Sequence, residues 1–139
     1  MKSRVLAPLL VVAACLALAA PASAALTGNW TGKTTQGLQL TDVPWKTGIT
    51  FSVLNGRIVT VVAEVRLECG EVEILDAKAF KSYPTGRGPQ VSPKGNFSFT
   101  LEGIHINGHL GSGAGSGQIS GHKSGCHGKG EWRVKRVDL

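Results

Sequence analysis

All four histidines of this chain fall between residues 105 and 127. His105 and His109 stand an even number of residues apart, so on one strand they share a face. If the glycine-rich stretch GSGAGSG (residues 111–117) turns at Gly113-Ala114, His122 comes opposite His105 on that same outward face. Three neutral imidazoles gathered this way are a ligand set suited to Zn²⁺ or Cu²⁺. His105, His109 and His122 are therefore the candidate metal ligands. No carboxylate stands beside them to orient the rings, and outward strand positions take polar side chains without any such role.

Other chemistries find less to work with. The chain has three cysteines, and Cys15 lies in an apolar leader, which leaves Cys69 and Cys126. In an oxidising compartment two remaining thiols pair most simply with each other. That bond closes a 57-residue separation, a crosslink worth about 3–5 kcal/mol on chain-entropy grounds. Cys126 beside His127 would then have no thiolate for nucleophilic attack. No serine sits on a nucleophile elbow, and Glu71 and Glu73, two apart on one strand, are too ordinary a spacing to mark an acid–base pair. GSGAGSG lacks the Lys-Ser/Thr ending and following helix of a phosphate loop, so it reads as a hairpin connection. The expectation is a non-enzymatic protein with no cofactor.

The compartment follows from the first segment. MKSR is a short basic start, VLAPLLVVAACLALAA an apolar run and PASA a small-residue cleavage site, together a secretory signal peptide over residues 1–24. Residues 25–139 are then a single secreted β domain, periplasmic or extracellular. VAAC (residues 12–15) also has the form of a lipoprotein cleavage site, which would anchor the chain by lipid at Cys15; the apolar run that continues past it favours ordinary cleavage. No later run reaches the roughly 18 apolar residues that span a bilayer. Loss of Lys2 and Arg4 with the leader lowers the formal charge from +6 to +4. That is mildly basic, suited to an anionic surface and not diagnostic of nucleic acid. The signs are segregated: Glu64, Glu68, Glu71, Glu73 and Asp76 make one stretch acidic, while Lys123, Lys129, Arg133, Lys135 and Arg136 make the final strand basic.

The elements that must position these residues are strands. Nineteen glycines, few helix formers and a two-residue alternation of apolar side chains exclude sustained helix. RIVTVVAEVRLEC (residues 57–69) puts Val59, Val61, Ala63, Val65, Leu67 and Cys69 on one face and Ile58, Thr60 and Val62 on the other. Before it, Ile49, Phe51 and Val53 share a face, and Asn55-Gly56 supplies the two positive φ angles of a tight hairpin turn. Further strands are expected in GNWTGKTT, with a continuation through GLQL, and in VEILDAKAF, NFSFTLE, IHINGHL, GSGQISGH and GEWRVKRV, the last with Trp132 and Val134 inward and closing against the first strand. KSYPTGRGPQVSPKG (residues 81–95) holds three prolines and three glycines, a long loop and so the best candidate for a functional excursion. Eight short strands with hairpin-length links predict an all-β meander, either a barrel or a two-sheet sandwich. Asn29 and Asn96 open N-glycosylation patterns, silent if the leader is bacterial, as its composition suggests.

The spaced pattern GNWTGKTTQG, F-S-V, NGRIV, Cys69, GNFSF, GSGQISG and CHGKGEWRV resembles a broad group of small secreted bacterial β-domains with no assigned activity. The likeness covers nearly the whole mature chain, and its motifs mark turns and core positions. ALTGNWTG (residues 25–32) is similar to the first strand of avidin-like and lipocalin-like barrels and of secreted barrel inhibitors of bacterial metalloproteases. In those folds a G-x-W tryptophan packs near an arginine of the closing strand, which implies Trp30 with Arg133 or Arg136 here. The ligand-contacting motifs of the avidins do not match beyond this strand, so the resemblance implies a barrel and no ligand.

The expected role is a secreted binding module, taking a small molecule into a barrel mouth or a protein on the Pro/Gly loop. The alternatives are an envelope or surface structural protein whose basic final strand meets anionic polymer, and a secreted protease inhibitor. An aromatic-lined hollow favours the first reading and a filled interior the second.

Overall fold

The structure, a computed structural model, describes residues 26–36, 45–70 and 73–137. The expected leader with Cys15, the continuation of the first strand through residues 37–40, and Glu71 lie outside the described residues. The described residues form eight antiparallel strands and no helix: β1 (Gly28–Gln36), β2 (Trp45–Leu54), β3 (Arg57–Cys69), β4 (Glu73–Ser82), β5 (Asn96–Leu101), β6 (Ile104–Leu110), β7 (Ala114–Lys123) and β8 (Cys126–Val137). Two four-strand meanders, β1 to β4 and β5 to β8, join where β1 pairs with β8. One sheet results, in the order β4-β3-β2-β1-β8-β7-β6-β5, with β4 and β5 as its edges.

Turn chemistry sets the hairpins. Asn55 and Gly56 have φ of 50° and 75°, and Leu54 pairs with Arg57 across them. Glu102-Gly103 and Ser124-Gly125 build the same two-residue turn, also with positive φ at both positions. In β3 the expected alternation holds from Val61 to Leu67, with Val61, Ala63, Val65 and Leu67 buried. It breaks upstream, where Ile58 is buried and Val59 only half-buried, the reverse of the expected faces. The cause is a bulge: Ser52 pairs with Thr60, but its neighbour Val53 pairs with Ile58. One extra residue on β3 flips the side chains on either side of it.

The sheet curls until β3 meets β8. Pairing of β2 with β3 stops at Ile49–Ala63, although β3 continues to Cys69. A backbone that leaves its neighbour inside a protein needs new partners. The buried side chain of Gln36 supplies them: its Nε2 donates to Arg66 O at 2.9 Å and its Oε1 accepts the Arg66 N–H at 2.8 Å. Two residues on, Glu68 pairs directly with His127 of β8. The Cys69–Cys126 disulfide fixes this junction, its Cα atoms 4.3 Å apart.

Buried side chains from the strands pack together in the space enclosed. Trp30, Phe51 and Trp132 are fully buried. The Trp132 ring lies edge-on to Phe51 (centroids 5.3 Å apart) and stacked on Phe97 (5.7 Å). Its Nε1 donates to Asn107 O (3.0 Å) and Gln118 O (3.2 Å). A side chain at Gly108 or Gly117 would collide with the indole, since a Cβ there falls 2.3 or 2.7 Å from its Cζ2. Trp132 and Val134 are thus inward and β8 closes against β1, as the alternation of GEWRVKRV predicts.

Candidate functional site

With the inner face given over to packing, candidate chemistry lies on the outer face. Cross-strand register aligns its side chains into rows. On β1, Thr31, Lys33 and Thr35 point out; on β8, Glu131, Arg133 and Lys135; on β7, Ala114, Ser116 and Gln118. Lys33 sits directly opposite Arg133, and Thr31 opposite Lys135. On the far side of β8, Ser116 faces Arg133, and His109 of β6 faces Ser116. One row therefore reads Lys33, Arg133, Ser116, His109, with Thr31 and Lys135 in the next.

These residues line a concave outer surface of about 740 Å³ whose floor includes Gly32 and Gly115. Gly32 is a close-approach position, because a Cβ there would fall 1.8 Å from Arg133 O. Its bare backbone lets β1 and β8 run close together, and the two cations rise on either side.

Like charges directly opposite on adjacent strands destabilise a sheet, so the pairing of Lys33 with Arg133 calls for an explanation. Two outer-face acids are occupied elsewhere. Arg66 Nε holds Asp76 Oδ1 at 2.6 Å, and Lys78 Nζ holds Glu64 Oε1 at 3.1 Å. The Arg66 guanidinium keeps the Asp76 carboxyl below its ordinary pKa, through the hydrogen bond and the opposite charge. None of Lys33, Arg133 and Lys135 forms an ion pair with a described residue. The surface they make is positive and can hold an anion by charge and by hydroxyl and backbone donors.

The expected three-histidine set is not assembled. β6 and β7 pair two residues out of the expected register: His105 lies opposite Ser120, not His122. Gly111 N–H bonds Ala114 O, so the connection closes one residue earlier than Gly113-Ala114. The core selects this register. It pairs buried Ile106 with Ile119, and it sets Gly108 beside Gly117 where the indole of Trp132 needs both. Each histidine then has its own surroundings. His105 contacts the hydroxyls of Thr100 (2.9 Å) and Ser98 (3.3 Å), and His109 lines the basic groove. His122 pairs with His127, ring centroids 4.4 Å apart. Among the described residues no group of three or more His, Cys, Asp or Glu is placed to hold a metal ion.

Lys33 is the residue that the sequence reading missed, since the basic stretch it recognised began at Lys123. The signal was present: β1 was expected beside β8, and Lys33 has the parity of outward Thr31. Arg136 departs from the basic strand in the other direction. It shares the parity of Trp132 and Val134, lies opposite Trp30, and donates from Nη2 to Thr27 O. It, and not Arg133, is the arginine beside the first tryptophan.

The long segment 81–95 is laced along the start of β3. Ile58 N–H donates to Pro89 O (2.9 Å), Val91 N–H to Gly56 O (2.8 Å), and Arg57 Nη1 to Gly88 O (2.8 Å), with Val91 buried. No protein-family model, curated protein or solved structure matches this chain.

Proposed function

We propose that the chain is a non-enzymatic exported binding module that holds an anionic partner on the outer face of β1, β8 and β7. One observation carries the reading: Lys33, Arg133 and Lys135 converge on a concave surface with no carboxylate partner among the described residues. A multivalent anion supplies the missing counter-charge, and the Thr31 and Ser116 hydroxyls offer it further hydrogen bonds. An acidic polymer or anionic surface fits such a shallow, extended groove better than a small molecule does. A filled interior argues against a ligand held inside the curled sheet. It also suits an envelope structural protein, for which the same basic face would be the contact with anionic polymer. The disulfide fits an oxidising compartment, where such polymers lie outside the cytoplasm.

The test is retention on an immobilised sulfated polysaccharide under a salt gradient. Arg133→Glu and Lys123→Glu change the net charge equally, but only the first lies in the groove. Arg133→Glu should elute at much lower salt, while Lys123→Glu stays close to the unaltered chain. Equal losses would mean that the protein binds by overall charge and that the groove has no role.

A further inference from the structure

Among the described residues no strand pairs with the outer edge of β4, and that edge reads as its own complement. β4 ends the sheet, and on it Ile74 and Phe80 are 38% and 60% exposed. We propose that two copies of this chain pair antiparallel along β4, about a two-fold axis through Ala77.

Backbone polarity allows it. Even-numbered residues of β3 turn their polar groups away from β4: Glu64 O accepts the Thr47 hydroxyl, and the Arg66 N–H and C=O engage Gln36. Odd-numbered residues face β4, as Val59 O does in accepting the Tyr83 N–H. With Tyr83 and the other odd-numbered residues of β4 turned to β3, alternation leaves the N–H and C=O groups of Ile74, Asp76, Lys78 and Phe80 at the free edge. A strand related by a two-fold axis at Ala77 meets these groups in matched pairs.

Side chains then sort by chemistry. Asp76 faces Lys78 of the second copy, Ile74 faces Phe80, Glu73 faces Lys81, and Leu75 faces Ala79. Every opposed pair is either oppositely charged or apolar. The in-chain ion pairs extend the match, because Arg66 lies on Asp76 and Glu64 on Lys78. Across the junction the outer row becomes Arg66, Asp76, then Lys78 and Glu64 of the second copy, with signs alternating over four strands. Moving the axis by one residue destroys this. An axis at Asp76 or Lys78 sets that charge against itself and brings an apolar residue onto an ion. An isologous contact needs a self-complementary strip, and β4 is one. Charges on an edge strand are also the usual guard against pairing, and a monomeric chain is the outcome that reading predicts.

Sedimentation velocity and native mass spectrometry of the oxidised chain at micromolar concentration decide between them. The unaltered chain should dimerise. Lys78→Glu places Glu against Asp76 at two symmetric positions and should weaken association by about tenfold or more; Asp76→Lys, which sets Lys against Lys78, should do the same. Mixing the two variants restores opposite charges at both positions and should yield heterodimer at the expense of either monomer, which a mere folding defect would not. A monomeric unaltered chain, a dimer indifferent to Lys78→Glu, or a mixture no more associated than its components would overturn the proposal.

Discussion

Replacing Trp132 by phenylalanine and by alanine separates the two things that its indole does. It fills the centre of the sheet, fully buried against Phe51 and Phe97. It also ties β8 to β6 and β7 through the N–H that Asn107 O and Gln118 O share. Alanine removes both. Such truncations cost about 3–5 kcal/mol, least where the surroundings can collapse. Here Gly108 and Gly117 carry no side chains to move into the void, and their backbones are held in the β6–β7 ladder. The upper part of that range, about 4–5 kcal/mol, is expected. Phenylalanine keeps most of the ring contact and loses the shared hydrogen bond and some volume, a cost of about 2 kcal/mol. Against a net stability of about 5–15 kcal/mol, the alanine variant would be marginal. Urea unfolding of the oxidised proteins, followed by circular dichroism, measures both. The midpoint should fall for phenylalanine and fall further for alanine, with the slope unchanged. An alanine cost under about 2 kcal/mol would refute a filled, rigid interior, and with it the argument that sends the ligand to the outer face.

Two further outcomes are expected. Replacing Cys69 and Cys126 together by serine should cost about 2–5 kcal/mol, read as a lowered thermal midpoint that reductant no longer shifts; an unchanged midpoint would mean that the Gln36 and Glu68–His127 contacts hold the junction alone. Asp76, whose pKa is depressed in the folded chain by Arg66, stabilises above the ordinary carboxylate value of 3.8 and loses that contribution as the pH falls through its folded pKa. Its side chain is 67% exposed, so Asp76→Asn should cost only a few tenths of a kcal/mol at neutral pH and flatten the acid limb; the check is a series of denaturant midpoints against pH, taken dilute enough to keep the chain monomeric.

Much of the fold is legible in period and turn chemistry. Alternation in Val61–Leu67 and in Trp132–Val134 is strict because one face of each strand is packed and the other is wet. Asn55-Gly56 announces its turn because both residue types tolerate positive φ. Glu102-Gly103 and Ser124-Gly125 announce theirs less clearly, since Glu and Ser take positive φ less readily than Asn. The bulge at Val59 is invisible in a run of β-branched residues that suit either face. The register between β6 and β7 is hidden from the sequence for a related reason. The GSGAGSG segment accepts a turn at several places, and the choice is made by Trp132, a residue on another strand whose indole needs Gly108 and Gly117 side by side. The expected histidine cluster depends on that register, and the groove is hard to see in the sequence because half of it, Lys33, lies a hundred residues from Arg133.

What remains free on this sheet is its outer face, and there the placement of charge is informative. The chain does not lack acids to set against Lys33 and Arg133. Glu64 and Asp76 are on the same outer face, and each has a cation of its own on the neighbouring strand. Lys33 thus faces Arg133 with no ion pair to a described residue, while Arg66–Asp76 and Glu64–Lys78 are balanced across β3 and β4, an arrangement that stability alone would not favour. An external anion at the seam relieves the repulsion, and balanced charges on β4 are what a copy of the same strand can match. The pairing edge of β4 and the β1–β8 seam are separated by β3 and β2 in the sheet, and Lys33 also borders the outer-face hollow that Glu64, Asp76 and Lys78 line. A dimer through β4 would therefore carry two open grooves. On a long acidic polymer the second groove binds at a high effective concentration once the first is engaged. Loss of the dimer would loosen the hold on a polymer, while a short anion that fills one groove would bind both forms alike.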